Sequence, residues 1–134
     1  MRRVMNDIQE FPVTISSGGT TGNATDPCTP IISSTLKKVQ AKAANDANVT
    51  GFKVDLQRYD WRSTAWTNVY ESSDQSIADD GNFQDADSDK DLDIPISSAR
   101  DRDRRSGNDY RWLVTVNAAT AAEMTVYIRR TLTG

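Results

Sequence analysis

Apolar side chains recur at every second position along several short segments of this 134-residue chain. The clearest case is "GFKVDLQRYD", in which Phe52, Val54 and Leu56 alternate with charged or polar residues. Side chains of a β-strand point to opposite faces in turn, so this pattern predicts a strand with one buried face.

Five further segments show the same alternation and predict strands. They are "FPVTIS", "TAWTNVYESS", "DLDIPIS", "YRWLVTVNA" and "AAEMTVYIRRTLTG". Their predicted inward residues are Phe11, Val13 and Ile15; Leu92, Ile94 and Ile96; Tyr110, Trp112, Val114 and Val116; and Met124, Val126, Ile128 and Leu132, with Arg129 outside. Proline lacks a backbone N–H, so Pro12 predicts that the first strand lies at a sheet edge or begins at this residue.

The segment "IISSTLKKVQAKAA" fits two structures. Its alanines and lysines favour a helix. Alternation through Ile31, Ser33, Thr35, Lys37, Val39 and Ala41 favours a strand. Because no N-cap precedes a 3.6-residue apolar stripe, we predict a strand.

Two polar segments predict long connections. Ser17 to Pro30 is rich in Gly, Thr, Asn and Pro and indicates a loop or linker, and residues 1–10 indicate an arm or a frayed end. We therefore divide the chain into residues 1–30, an N-terminal strand with an extended arm or linker, and residues 31–134, a β-sandwich domain. Asp74 to Asp91 predicts a polar, acidic connection, whereas the short "DWRST" predicts an antiparallel hairpin.

The predicted strands follow one another without helical crossovers, which is typical of an antiparallel all-β protein. Each strand has one apolar face, and two sheets must bury these faces against each other. We predict an antiparallel β-sandwich or jelly roll with an extended N-terminal arm.

Charge and hydropathy argue against two kinds of partner. The 16 basic and 19 acidic residues give a net charge of −3, with no clustered basic surface for nucleic acid. No window approaches the apolar length of a membrane span, and "MRRVMNDIQEF" has no apolar run of a signal peptide. We expect neither a nucleic-acid nor a membrane partner.

The chain offers little catalytic chemistry. It has no histidine, the commonest general base and transition-metal ligand. The lone Cys28 has no histidine to activate it and is interpreted as a small, partly buried apolar residue. No phosphate-binding or dinucleotide fingerprint is present. We predict a protein that is not an enzyme and uses no cofactor.

The stretch "DADSDKDLDIPIS" raises the possibility of a calcium site. Asp85, Asp87, Asp89 and Asp93 fall at ligand positions of an EF-hand loop. The turn glycine and the final bidentate carboxylate are replaced by Lys90 and Ile96. We interpret the aspartates as residues that solvate a loop and flank a strand, and predict no metal site; a looser calcium site on the sandwich rim is the alternative.

Two other clusters could bind partners. Tyr59, Trp61, Trp66 and Tyr70 fall in the hairpin region, where they could stack on a glycan or anchor a core or interface. Four arginines between Arg100 and Arg105 are interleaved with aspartates. This mixture indicates a self-compensated loop that could pair with another subunit.

The strand order resembles that of small all-β virion structural proteins of tailed phages. The resemblance covers about residues 31–134 and rests on "TLKKVQAKAANDANVTGFKVDLQRYD", on "DLDIPIS" after a polar loop, and on the final pair "YRWLVTVNAATAAEMTVYIRRTLTG". It implies a protein of capsid decoration or cement, or of the neck or tail. Its implied location is the virion, assembled in the host cytoplasm.

The resemblance also implies partners: other virion proteins, such as the major capsid protein, or neighbouring copies in a homo-oligomer. It assigns no functional residue. The pattern is also similar to that of secreted pre-peptidase C-terminal domains. That similarity keeps a calcium- or carbohydrate-binding accessory module as the alternative function.

Overall fold

The computed structural model describes residues 6–26, 34–60, 62–77, 82–86, 92–96 and 110–133. These residues form strands and connections, with no helix among them. The strands are β1 (Asn6–Ile15), β2 (Thr21–Thr25), β3 (Ser34–Ala43), β4 (Gly51–Asp60), β5 (Ala65–Glu71), β6 (Gln75–Ser76), β7 (Gln84–Asp85), β8 (Ile94–Ile96), β9 (Tyr110–Val116) and β10 (Met124–Thr133).

The strands form two antiparallel sheets. Sheet A has the order β1-β10-β3, and β7 and β8 both pair with the far side of β3. Sheet B has the order β2-β9-β4, and β5 and β6 both pair with the far side of β4. The two sheets pack as a jelly-roll sandwich, which confirms the predicted fold class.

The core lies between the sheets, where the alternation predicted it. The rings of Phe11 on β1 and Trp112 on β9 meet across the sheets with centroids 6.0 Å apart. The predicted inward residues of β1, β4, β9 and β10 are all buried. On β8 Ile96 is buried and Ile94 packs against the core, as does Leu92 just before the strand. The predicted Pro12 position is also confirmed, because β1 is the end strand of sheet A.

The prediction of an unbroken loop from Ser17 to Pro30 is wrong. Thr21–Thr25 forms β2, which pairs with β9 from Thr21 opposite Thr115 to Thr25 opposite Arg111. Its inward positions are Gly22 and Ala24, so an apolar alternation is missing from the sequence. The expected arm or frayed end is also wrong for residues 6–10, which belong to β1.

The segment β3 is a strand, as predicted, but a bulge interrupts its alternation. Lys38 lies opposite Thr131 and Leu36 opposite Leu132, so Lys37 is an extra residue at a β-bulge. The buried residue before the bulge is Leu36, at an even position, and the buried residues after it are Val39, Ala41 and Ala43, at odd positions. The alternation that predicted this strand, through Thr35, Lys37, Val39 and Ala41, is therefore interrupted at Lys37.

Of the two predicted connections between strands, one is confirmed and the other contains short strands. The hairpin after β4 is confirmed, with Asp60 opposite Ala65. In the predicted polar connection from 74 to 91, the two-residue strands β6 and β7 instead pair with β4 and β3. Strands this short carry too few residues for a visible period.

Several predictions fall outside the described residues. They concern Cys28, Trp61, Asp87, Asp89 and the arginine loop 100–105. The division at residues 30 and 31 falls within the segment 27–33 and stays a prediction, although β1 and β2 pair with strands of the predicted domain. A search of the described residues for a helix long and apolar enough to cross a membrane finds none.

Candidate functional site

The outer face of sheet A carries a group of aromatic and cationic side chains. Strand β10 buries Val126 and Ile128, so alternation turns Tyr127 and Arg129 outward. Tyr127 lies opposite Lys42 of β3. Phe83, just before β7, lies beside them; we call Lys42, Phe83, Tyr127 and Arg129 the outer cluster.

Cation–π contacts organise the outer cluster. The Arg129 guanidinium lies 4.1 Å from the centroid of the Phe83 ring, and the Lys42 ammonium lies 4.7 Å from it. Lys42 is also 5.5 Å from the Tyr127 ring centroid. Such contacts hold long side chains in fixed positions on a sheet, which lowers the entropy lost when a partner binds.

Two large hydrophobic side chains are exposed on this face of sheet A, one in the outer cluster and one on β1. Tyr127 is 44% exposed and Ile8 of β1 is 57% exposed. Arg129 also donates a hydrogen bond to the Glu10 carboxylate at 3.2 Å. Tyrosine and arginine are enriched among the residues that dominate binding energy at protein interfaces, so this face is suited to protein contact.

The described acidic residues of the "DADSDKDLDIPIS" stretch bind to β3. Asp85 accepts a hydrogen bond from the Gln40 amide at 2.9 Å and lies 3.6 Å from the Lys38 ammonium. Asp93 accepts a hydrogen bond from the Lys37 ammonium at 2.6 Å. Among the described residues, no three acidic or thiol side chains form a group that could hold a metal ion.

The predicted aromatic cluster of the hairpin divides between two places. Tyr70 is 5% exposed and contacts Trp112 in the core, with ring centroids 6.4 Å apart. Tyr59 and Trp66 instead contact each other edge to face at 5.1 Å. The Arg111 guanidinium lies 4.3 Å from the centroid of the Trp66 ring and covers one face of it.

A polar row continues from this pair across sheet B. Arg111 donates a hydrogen bond to the side-chain oxygen of Gln57 at 2.7 Å, and Gln57 donates one to Asn68 at 2.8 Å. Partial burial lowers the pKa of the Arg111 guanidinium. An aromatic pair flanked by amides is a combination that can also recognise a sugar.

A cleft of about 380 Å³ opens at one end of sheet B. Among the described residues, Lys53 and Asp74 are the charged ones that line it, and Asn117 lies at its wall. The Asn117 side-chain oxygen accepts hydrogen bonds from the backbone N–H groups of Thr50 and Gly51 at 3.1 and 3.2 Å. Asn117 therefore fixes the backbone at this end of the sheet.

The sequence analysis missed a buried charge network. Arg130 is fully buried and donates hydrogen bonds to both carboxylate oxygens of Asp26, at 2.8 and 3.0 Å. It also donates to the Asp7 carboxylate at 3.0 Å. The Trp112 indole N–H donates to Asp26 at 2.8 Å.

The electrostatics of this network favour the charged guanidinium. Burial acts to lower the pKa of Arg130, but the hydrogen bonds and charges of Asp26 and Asp7 outweigh it and raise that pKa. A signal existed in the sequence, since Arg130 occupies an inward position between Ile128 and Leu132. The network joins both ends of the N-terminal strand pair to β10.

Comparisons with known proteins find similarity in structure only. No family model and no curated protein matches the chain. A mitogen from Yersinia pseudotuberculosis is 13% identical with a TM-score of 0.39, over 95% of this chain and 86% of that one. The capsid protein of BFDV, a decamer, is 12% identical with a TM-score of 0.41, over 98% of this chain and 96% of that one.

A protein from the structure of infectious bursal disease virus, Gx strain, is 15% identical with a TM-score of 0.39, over 98% of this chain. The chain spans only 31% of that viral protein. At TM-scores near 0.4, these similarities concern the arrangement of strands and not function.

Proposed function

We propose that this chain is a non-enzymatic virion structural protein that decorates or stabilises a phage capsid through protein–protein contacts. The observation that carries the proposal is the outer cluster, with Tyr127 and Arg129 held on a rigid sheet and Tyr127 44% exposed. Jelly rolls recur in viral capsids, but a fold alone does not fix a function. The contact chemistry of the outer cluster is therefore the stronger support.

The proposed partners are the major capsid protein or neighbouring copies of the chain. The outer cluster offers two cations, Lys42 and Arg129, beside aromatic surface. Such a surface fits a partner that presents carboxylates next to apolar side chains. The corresponding location is the virion, with assembly in the host cytoplasm.

The test is the composition of purified particles together with a binding assay. We expect the chain at a fixed ratio to the major shell protein. Tyr127→Ser combined with Arg129→Ser should weaken binding to particles by about tenfold or more, as expected for interface residues of this type. Trp66→Ser, on the opposite sheet, is the matched control and should bind normally.

Two results would refute the proposal. One is absence of the chain from particles made by cells that express it. The other is equal loss of binding in the outer-cluster variant and the Trp66 variant, each of which must first show a cooperative unfolding transition.

The second candidate function is carbohydrate binding by the accessory-module type of sandwich. The observation in its favour is the Tyr59–Trp66 pair, which lies beside the amides of Gln57 and Asn68 on the outer face of sheet B. A glycan array with the native chain and with Trp66→Ala would test it. Binding that is lost in the variant would favour this function, and the absence of any signal would reject it.

A further inference from the structure

The pairing of β3 with its neighbours shows which backbone groups of β1 point toward β10 and which point away from it. The backbone N–H of Ala86 donates to the Val39 carbonyl at 2.9 Å, so Val39 faces β7. Val39 lies opposite Arg130, which lies opposite Gln9. Because facing residues of an antiparallel ladder alternate between bonded and non-bonded pairs, Arg130 and Gln9 form a bonded pair.

The positions on β1 that bond to β10 therefore alternate, starting from Gln9. The backbone groups of the residues between them point away from β10, to the edge of sheet A; these residues are Ile8, Glu10, Pro12 and Thr14. The second half of this edge, at Pro12 and Thr14, is not available for pairing with another strand. Pro12 has no N–H to donate. A Cβ atom at Gly22 would lie 2.4 Å from the Thr14 carbonyl oxygen, so β2 passes directly over the edge there.

The first half of the edge, residues 6–10, is open among the described residues. Ile8 lies in its middle and is 57% exposed. Ion pairs hold this half in an extended form, from Asp7 to Arg130 at 3.0 Å and from Glu10 to Arg129 at 3.2 Å. An edge that is extended before binding loses little entropy when another strand adds to it.

We propose that a second copy of the chain adds its own β1 here, antiparallel, across a two-fold axis at Ile8. In this register Ile8 faces the partner's Ile8, Asp7 faces the partner's Gln9, and Glu10 faces the partner's Asn6. No like charges meet in this register, and the Asp7 carboxylate faces the amide of the partner's Gln9. An axis at Glu10 would instead oppose two carboxylates and use Pro12 in the new ladder.

The dimer joins sheet A of two copies into one continuous sheet. Such a contact is isologous and closed, so it covers the edge instead of propagating into a fibre. The inference deepens the proposed function by naming a neighbouring copy as a partner. It places that partner at the edge of sheet A and leaves the outer cluster available to another component.

Crosslinking tests the register. In a Cys28→Ser background, Ile8→Cys places two thiols at the axis, and a short bismaleimide should link them in high yield. Glu10→Cys is the matched control. Its two copies would lie roughly 14 Å apart, four residues along the ladder, and should link poorly. Equal yields from the two variants would overturn the register.

Sedimentation of the full chain tests the dimer itself. We expect a concentration-dependent dimer, with the dissociation constant raised about tenfold or more by Ile8→Lys, since two lysines would then face each other. Thr14→Lys, at the covered half of the edge, should dimerise like the native chain. A monomer at every concentration would overturn the inference.

The two proposals can fail separately. A monomeric chain that is present in particles would reject the dimer and leave the proposed function standing. A chain that dimerises but is absent from particles would reject the proposed function and leave the dimer standing.

Discussion

At the scale of single residues, Arg130 is a buried charge held by several hydrogen bonds. It is fully buried, and its guanidinium bonds to Asp26 and Asp7. Removing one member of a buried ion pair leaves the other charge desolvated and unpaired. The cost therefore exceeds the value of the contacts that are lost.

We expect Arg130→Met to lower the free energy of unfolding by about 3–5 kcal/mol, because the buried Asp26 carboxylate would lose the charge of Arg130 and two of its hydrogen bonds. Urea unfolding followed by tryptophan fluorescence measures this. Arg129→Met is the matched control, since its pair with Glu10 is exposed and should cost less than about 1 kcal/mol. Equal losses in the two variants would contradict the assigned role of Arg130.

For Asp55 we expect a substitution to increase stability, in contrast to Arg130. Burial, and then the charge of Glu71, raise its pKa above 3.8, and one of its carboxylate oxygens is buried with no hydrogen-bond partner. A carboxyl whose pKa is higher in the folded state favours folding at low pH. That contribution is lost as the pH rises through the folded pKa.

Asp55→Asn should therefore raise the urea midpoint at pH 7 and change it little at pH 3, where the native carboxyl is protonated. Asp93→Asn, which removes the carboxylate charge paired with Lys37, should not raise the midpoint at pH 7. A lower midpoint for Asp55→Asn at pH 7 would show that the ionised carboxylate has a favourable partner.

At the scale of elements, the passage from β1 to β2 decides how the chain changes sheets. β1 belongs to sheet A and β2 to sheet B, with only residues 16–20 between them. Gly18 lies in the left-handed region with φ of 80°, and its N–H donates to the Thr120 carbonyl at 2.9 Å. The two strands then cross so closely that Gly22 has no room for a side chain.

Gly22→Ala should destabilise the fold by about 1–3 kcal/mol, because its Cβ would meet a backbone carbonyl that cannot move without shifting β1. Asn23→Ala, on the exposed face of the same strand, is the control and should change stability by less than about 0.5 kcal/mol. Differential scanning calorimetry measures both. A neutral Gly22→Ala would mean that β1 and β2 are further apart than described.

The same elements show which parts of the structure the sequence could predict. Strands β4, β9 and β10 have long apolar alternation, so their buried faces could be read directly. Strand β2 turns a buried Gly22 and a partly buried Ala24 inward, and these small residues carry no such signal. The bulge at Lys37 depends on pairing with β10, which is information that a single strand does not contain.

The functional surface was harder to predict for a related reason. The outer cluster joins Phe83, Lys42 and Arg129 from three separate segments. Its members are brought together by sheet order, and sheet order does not follow from local periodicity. Arg130 was predictable in principle, because strict alternation places it inward between Ile128 and Leu132.

At the scale of the whole molecule, charge is balanced locally along the edge formed by β7 and β8. Asp85 bonds to Gln40 and lies near Lys38, and Asp93 bonds to Lys37. By strand register the two aspartates lie about three residues apart along β3, roughly 10 Å. Each has a cation beside it that a calcium ion would have to displace.

We therefore expect calcium to leave the thermal unfolding temperature of the chain unchanged from micromolar to millimolar concentrations. A bound ion would stabilise the folded state by about 2.7 kcal/mol at a hundred times its dissociation constant, which calorimetry detects easily. Magnesium at equal ionic strength is the control for screening. An unfolding temperature that rises with calcium but not with magnesium would favour the calcium-binding accessory module. Such a rise would mean that calcium binds strongly enough to displace the lysines from these carboxylates.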